Sequence, residues 1–428
     1  MRRSTDLLAG VLTGLLPLAF GVFGATGGGQ WGMDVVSRMA DGMEISCQLP
    51  DDLNAAMKSG EAGEFVQEYV APDGSRQPFI TRWVVLPAGM KGELAVREQA
   101  PDGASPAVIG KPVIWRGVRM APVMIMPQRH SEESLTLDIK FVPDKDGVRH
   151  SEISPRPLSL PQARMLDMMT LNPSRQLSPR RDLAAEYTAH ILLLYPEALE
   201  DETALTELDG FVDWKERMGF KVTKLAVDTD VMDALDIKDM IAGYYDDEPP
   251  VDYLIIIGDD RFPDPYDDDD QRNAVYDEEM SFPGVPFRYV NYDSFSDLLL
   301  TTMDGEDDLI PDIPFGRFWV PTTAKLANVL HRTVEYEKNP YLGPEGDGAW
   351  FGRALVANET DTMFASRIDL MMWEKARLLQ LGCRDVAIVW DTTDVRSAEK
   401  QTEKLEQGIS LMLVDGWGLG MMKPYDNN

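Results

Sequence analysis

Tyr253-Leu254-Ile255-Ile256-Ile257-Gly258-Asp259 decides the fold. The run from Tyr253 to Ile257 is apolar at every position, so neither face is built for water. That is the pattern of a strand covered on both sides, as in a parallel sheet between helices. The sequence before it agrees. Ile191-Leu192-Leu193-Leu194-Tyr195-Pro196 is a second buried strand, and Phe220-Lys221-Val222-Thr223-Lys224-Leu225-Ala226-Val227 is a third. Between these two, residues 205–219 place Leu208, Phe211, Val212 and Met218 at helical spacing and close on Gly219, a C-cap glycine. Residues 236–245 predict a further helix. Strand–helix–strand alternation of this kind predicts an α/β unit.

Beyond Asp259 the chain is acidic and polar, and a long loop is expected to about Tyr292. Asp297-Leu298-Leu299-Leu300, a turn at Asp304-Gly305-Glu306-Asp307-Asp308 and the run from Pro311 to Phe318 follow. A helix over 323–337 ends before Asn339-Pro340. A second α/β unit begins near Trp350. Its expected strands are Arg353-Ala354-Leu355-Val356-Ala357, Asp385-Val386-Ala387-Ile388-Val389-Trp390 and Ile409-Ser410-Leu411-Met412-Leu413-Val414, with helices over 362–381 and 397–407 between them. Three parallel strands leave an edge unpaired, so this unit reads as incomplete. The last strand runs into Gly416-Trp417-Gly418-Leu419-Gly420. Ligands and chemistry gather beyond the carboxyl ends of such strands. The side chain in that turn is Trp417, which is neither acid, base nor nucleophile.

The amino-terminal part follows another rule. Short runs such as Phe79-Ile80-Thr81-Arg82-Trp83-Val84-Val85-Leu86 and the alternating Leu135-Thr136-Leu137-Asp138-Ile139-Lys140-Phe141-Val142 are separated by Asp-Gly turns. They predict a β-sandwich-type domain over 28–150. Residues 151–187, rich in Pro, Ser and Arg, read as a linker with a short helix near 162–169 and a dibasic Arg180-Arg181. The first α/β unit then spans 188–345 and the second 346–428. Met1-Arg2-Arg3, the apolar run from Leu7 to Phe23 and the small residues at 24–27 read as an export signal over 1–27. The alternative is a retained anchor, because the run approaches the about 18–20 residues needed to span a bilayer. Gly and Pro17 weaken it, so no stable span is expected after cleavage.

A net charge of −31 repels nucleic acid and anionic membranes, which excludes polyanions as partners. Cys47 and Cys383 do not form a disulfide scaffold, although a bond between them is not excluded by sequence. His130, His150, His190 and His331 share no metal-ligand spacing, which argues against zinc.

From about His190 onward, a set of ordered blocks resembles the gingipain-like cysteine peptidases, a family of the caspase-like fold clan. Asp213-Trp214-Lys215-Glu216-Arg217-Met218-Gly219-Phe220-Lys221-Val222 is similar to one block, and Asp252 to Asp259 to the strand that follows it. Ser296-Asp297, Asp304-Gly305, the run from Pro311 to Phe318 and Tyr336-Glu337-Lys338-Asn339 resemble the next ones in order. The β-rich part is similar to the family's amino-terminal pro-domain. The resemblance implies two caspase-like, gingipain-like parallel-sheet subdomains, the second incomplete, behind a β-sandwich-type domain.

The resemblance also implies where the chemistry belongs. The family carries its catalytic histidine in a Gly-His-Gly turn, and Gly408 to Gly418 matches that strand and turn with Trp417 on the histidine. The cysteine position lies past Asn428. A cysteine needs an imidazole to form its thiolate and to protonate the leaving amine, and indole has no basic nitrogen to lend. Glu359 falls where the family places a histidine-orienting acid, with a solvated loop carboxylate as the alternative. Arg367 falls where members that cleave after basic residues have an acid, so that specificity does not carry over. Gingipain-like enzymes bind calcium, and Asp304, Glu306 and Asp308, like Asp267 to Asp270, offer carboxylate oxygens, but neither run fits an EF-hand and both also suit solvated loops. No cofactor is required.

The expected function is that of an exported gingipain-family cysteine endopeptidase homologue, secreted, periplasmic or on the cell surface, without its catalytic pair in this sequence. It meets a peptide or protein as substrate or ligand. The alternative is a non-catalytic pseudopeptidase with a peptide-binding, regulatory or surface structural role.

Overall fold

A computed structural model of the protein describes residues 32–39, 41–48, 66–70, 76–97, 105–126, 134–145, 156, 158–172, 188–247, 250–258, 285–289, 292–304, 310–343, 346–358, 371, 372, 374–376, 378, 379, 382–390 and 395–415. The signal-like segment 1–27 and the dibasic pair Arg180-Arg181 lie outside them.

The amino-terminal strands are β1 (Gly32–Met39), β2 (Gly42–Gln48), β3 (Val66–Val70), β4 (Arg76–Val85), β5 (Met90–Val96), β6 (Ala107–Ile109), β7 (Val113–Trp115), β8 (Val118–Ile125) and β9 (Ser134–Pro143). They form two antiparallel sheets, β1-β2-β9-β5 and β3-β4-β8-β6, with β7 also paired to β8. Alternation dictates the packing. Leu135, Leu137 and Ile139 of β9 and Met43, Ile45 and Cys47 of β2 meet Ile80, Val84, Val123 and Ile125 of the other sheet in one core. Gly42 is required where β2 meets β9, because a Cβ there would lie 2.2 Å from the Ile139 carbonyl oxygen. Strands β1, β2, β3 and β5 are additions to the sequence expectation. Their alternation is present, as in Met43-Glu44-Ile45-Ser46-Cys47, but mixed with charge.

Helix α1 (Leu160–Met169) starts where Gln162 Oε1 accepts from the Ser159 N–H at 3.1 Å, one half of a capping box, and it carries Pro161 in its first turn. It is tied to β4 by the Leu171 N–H, which donates to the Trp83 carbonyl at 2.8 Å.

The next part runs β10 (Ala189–Pro196), α2 (Glu202–Arg217), β11 (Phe220–Val227), α3 (Ala234–Asp246), β12 (Tyr253–Ile257), β13 (Val285–Tyr289), β14 (Tyr292–Ser296), β15 (Phe315–Phe318) and α4 (Thr323–Lys338). Strands β11-β10-β12-β15 form a sheet, and every pairing in it is parallel. The continuous apolar runs bury both faces. Leu192, Leu194, Leu254 and Ile256 pack on one face against Ile237, Ile241 and Tyr245 of α3. Leu193, Ile255 and Ile257 pack on the other against Leu208 and Phe211 of α2 and Leu326 and Leu330 of α4. Gly219 takes φ +93° beyond the end of α2, the left-handed geometry its position in the sequence predicts. The loop expected to reach Tyr292 is corrected by β13 and β14, an antiparallel hairpin from Val285 to Ser296. Its signal is the alternation of Val285, Phe287 and Tyr289, interrupted by Pro286.

The last part contains β16 (Arg353–Asn358), β17 (Asp385–Trp390), α5 (Val395–Glu406) and β18 (Leu411–Asp415). These strands make a parallel sheet in the order β17-β16-β18, so β16 is central. Ala354, Val356, Met371, Leu378 and Val386 form its core. The whole is therefore mixed α/β, with antiparallel sheets first and parallel sheets after.

Ile256 sits at 0% exposure in the central layer. Ile256→Ala is expected to lower unfolding free energy by about 2–5 kcal/mol, measured by chemical denaturation.

Candidate functional site

The carboxyl edge of the β17-β16-β18 sheet is set by register. Asn358, the last residue of β16, pairs with Trp390 on one side and with Asp415, the last residue of β18, on the other. Neighbouring strands lie about 4.8 Å apart, so the chain leaves this edge from two adjacent points. Glu359 is the next residue after Asn358, and Gly416-Trp417 follow Asp415. Glu359 and Trp417 themselves lie outside the described residues, as do Arg367, Glu306, Asp308 and the run Asp267 to Asp270. Among the described residues, the order of the strands pairs Asn358 with Asp415, a juxtaposition that spacing in sequence does not reveal.

The described thiols lack the setting of nucleophiles. Neither Cys47 nor Cys383 is in a disulfide. Cys47 is 1% exposed in the core of the β sheets, and Cys383 packs beside the core of the last sheet. Burial pushes the Cys383 thiol up, away from the lowered range of a reactive cysteine. Among the histidines, His190 Nε2 lies 2.9 Å from Thr223 Oγ1, and His331 Nδ1 lies 3.4 Å from Glu207 on an exposed helix face.

The polar residues of the sequence blocks pair with one another instead. Trp214 Nε1 donates to Glu337 Oε2 at 2.7 Å, and Lys215 Nζ donates to both oxygens of the same carboxylate at 2.7 and 2.8 Å. This clamps α2 to α4. Arg317 grips Asp297 through Nε at 2.8 Å and Nη2 at 2.6 Å, while its Nη1 donates to the Gly258 carbonyl at 3.0 Å. That fork fixes the turn after β14 against the ends of β12 and β15.

A second constellation lies at the opposite, amino-terminal edge of the β11-β10-β12-β15 sheet. Strands β7 and β8 are joined by the two residues Arg116 and Gly117, with φ of +51° and +73°. Arg116 is fully buried. Its N–H donates to Asp312 Oδ1 at 2.6 Å, and Nη1 donates to the carbonyls of Val251 at 3.1 Å and Asp312 at 3.2 Å. Nη2 lies 3.6 Å from Asp252 Oδ1. Asp252 precedes β12, and its Oδ2 accepts from the His190 N–H at 2.8 Å. Asp304 is also here: Oδ2 accepts from the Gly117 N–H at 3.0 Å, and the residue is 5% exposed. A solvated loop is therefore ruled out for Asp304. Arg116 and Arg156 each place a guanidinium 5.2 Å from the Tyr245 ring centroid. Burial pushes the Tyr245 phenol far up. Asp312 and Asp304 add to the shift, while the two arginines oppose it. Tyr253, beside Asp252, is pushed up to about 12, chiefly by burial. Asp252 and Asp312 stand in the sequence blocks described above, but nothing local marks Arg116 as their partner, 196 positions from Asp312. No group of three or more His, Cys, Asp or Glu residues arranged for a metal occurs among the described residues.

Sequence comparison makes the class of this α/β protein specific. Peptidase family C25, the gingipain family of cysteine peptidases, matches residues 184–417, more than half of the chain, and the chain belongs to this family. No curated protein sequence matches it. Two solved structures overlap in part. One concerns the zymogenic latency of gingipain K from Porphyromonas gingivalis, at 10% identity and TM-score 0.19, covering 26% of this chain and 93% of that one. The other is the complex of RgpB pro- and mature domains from the same organism, at 9% identity and TM-score 0.21, covering 33% and 95%. Overlaps this small add nothing to the fold described above. No helix among the described residues is long and apolar enough to cross a membrane.

Asp297→Ala strands a guanidinium that is 6% exposed, while the carboxylate it loses is 17% exposed. Its expected cost is about 2–3 kcal/mol, below the fully buried case. Arg317→Lys keeps the charge but loses the fork, with roughly half that cost. Chemical denaturation measures both.

The raised tyrosines set an alkaline limit. Their folded pKa values lie above the unfolded value of 10.0. The stabilisation is thus complete below pH 10 and is lost as pH rises through 10 toward 12. The urea midpoint is expected to hold from pH 8 to about 9.5 and then fall, with a shallower fall in the Tyr245→Phe, Tyr253→Phe double variant.

Proposed function

We propose that the protein is an exported member of the gingipain family that receives an extended peptide at the carboxyl edge of the β17-β16-β18 sheet. The observation that carries this is the register Asn358–Asp415, which starts the Glu359 and Trp417 segments from adjacent strand ends. Behind it stands the family match over 184–417. In this proposal 1–27 is the export signal, 28–150 a β-sandwich-type domain and 151–187 a linker. Residues 188–345 and 346–428 are then the two caspase-like subdomains.

Trp417 stands where the family's imidazole would, with Glu359 as the carboxylate beside it. An indole cannot take a proton from a thiol or give one to a leaving amine, so this edge binds without cleaving. An aromatic side chain in a peptide groove supplies apolar contact area instead. The competing reading is hydrolysis of protein substrates, and membership of a peptidase family favours it. Calcium is not part of the proposal. Asp304 commits one carboxylate oxygen to the Gly117 N–H, and Glu306 and Asp308 lie outside the described residues.

Two measurements decide between binding and cleavage. A mixed fluorogenic peptide library with the purified chain, under reducing conditions, is expected to give no turnover sensitive to a thiol-alkylating inhibitor; such turnover would sink the binding-only reading. The same peptides, unlabelled, should quench tryptophan fluorescence on binding. Trp417→Ala should weaken that binding by roughly tenfold, the cost of one aromatic anchor. Peptides that leave the fluorescence unchanged at millimolar concentration would count against the groove.

A further inference from the structure

Strand β18 is outermost in its sheet, and β16 is its one neighbouring strand among the described residues. An open edge presents N–H and C=O groups to any extended chain, and folds blunt it with charge, a bulge, shortness or cover. The outermost strands of the other large sheets carry such devices. Strand β1 is bulged between Val35 and Ser37, and β6 is three residues long. Strand β3 carries Glu68, β5 carries Lys91 and Glu93, β11 carries Lys221 and Lys224, and β15 carries Arg317. At the other edge of the last sheet, Lys400 of α5 donates to the Ile388 carbonyl of β17 at 3.2 Å. In β18 and the residues before it, nothing from Ile409 to Val414 is charged and nothing is proline. The strand is apolar from Leu411 to Val414, yet Leu411 is 41% and Val414 39% exposed.

One contact sets the direction of its backbone groups. The Ser410 N–H donates to the Arg353 carbonyl at 2.9 Å, so Ser410, Met412 and Val414 turn their N–H and C=O groups to β16. Those of Leu411 and Leu413 point the other way, along the free edge. Both faces are apolar beside that edge. Leu413 packs with Val356 and Val386 on one face, and Met412 and Val414 share the other with Leu355 and Ala357.

We propose that the free edge of β18 is a strand-pairing site, on which an extended peptide with consecutive apolar residues adds as the next strand of the sheet. This rests on the reading of the same sheet's carboxyl edge as a peptide groove, and it names the peptide's chemistry. Main-chain bonds to Leu411 and Leu413 hold the segment, and apolar side chains on both of its faces continue the two layers that β18 leaves open. Charge selects this occupant. A second copy of the chain brings another −31 to the edge and is repelled, whereas a short uncharged segment meets no like charge along Ile409 to Val414. Continuity places it: β18 ends at Asp415 beside Asn358, so a segment laid along the strand runs to the carboxyl edge.

The test uses the full chain, residue-resolved amide exchange and one probe, the acetylated and amidated hexapeptide Ser-Val-Ile-Val-Leu-Thr. In the free chain the Met412 and Val414 amides are expected to exchange slowly and those of Leu411 and Leu413 fast. At saturating probe the Leu411 and Leu413 amides should slow by about tenfold or more. Amides of Leu411 and Leu413 that are already slow without probe overturn the proposal, and sedimentation then tells a second copy from another segment of the same chain. Probe binding that leaves these two amides unchanged also overturns it, while the groove at the carboxyl edge stands. Failure of this probe and of the mixed library alike overturns both readings. Leu411→Pro removes an outward N–H and no bond to β16, so it should weaken the probe by about fivefold to tenfold, the worth of one hydrogen bond. Where Leu411→Pro does not fold, two N-methylated probes supply the readout, one methylated at its second and fourth amides and one at its third and fifth. Loss of binding by one of the two supports the pairing, and equal binding of both overturns it.

Discussion

Asp312 is the residue on which the arrangement of the parts depends. It is fully buried, and each of its polar groups is committed to a different segment. One carboxylate oxygen accepts from the Arg116 N–H at 2.6 Å and the other from the Met303 N–H at 2.6 Å. Its own N–H donates to the Thr301 carbonyl, and its carbonyl accepts from the Arg116 guanidinium. A buried carboxylate is costly unless its oxygens are all used, and here they join the turn before β15, the segment after β14 and the tip of the β7-β8 hairpin. The β sheets and the first parallel sheet thereby share one polar centre.

The two edges of the parallel sheets have different work. At the amino-terminal edge the strand ends are occupied by Asp252, Asp304 and Asp312 and covered by the Arg116 hairpin. At the carboxyl edge of the last sheet the register of Asn358 with Asp415 brings two chain segments side by side. Between these edges, the pairs Trp214 and Lys215 with Glu337, and Arg317 with Asp297, hold helices and turns to the sheet. They are frame contacts rather than chemistry.

Much of the frame is legible in the residues. Ile191 to Pro196 and Tyr253 to Ile257 lie in strands where their apolar runs mark them, because a strand buried on both faces needs such a run and has few alternatives. Helix α2 closes at the glycine that only a left-handed cap requires. The β-rich part is less legible. Strands β1, β2 and β5 each have a half-wet face, and charges at Asp34, Glu44, Lys91 and Glu93 dilute the alternation. The charged socket is the least legible element. Asp252 and Asp312 stand out within their blocks, but Arg116 becomes their partner only through the fold, and in sequence it reads as an ordinary surface turn. The carboxyl edge is legible in part: the glycine turn and its tryptophan are plain in the sequence, while the pairing of Asn358 with Asp415 depends on strand order.

The clamp between Trp214, Lys215 and Glu337 has a consequence for how such chains are recognised. The residues that make this protein resemble its family are those that pair with each other to hold two helices and a sheet in place. A substitution among them is penalised by loss of the fold, whatever the protein is used for. The residues of the clamp, the fork and the socket are not those to which the proposal assigns the protein's task. Membership and competence are thus written in separate residues, and a chain can keep all of the first while giving up the second.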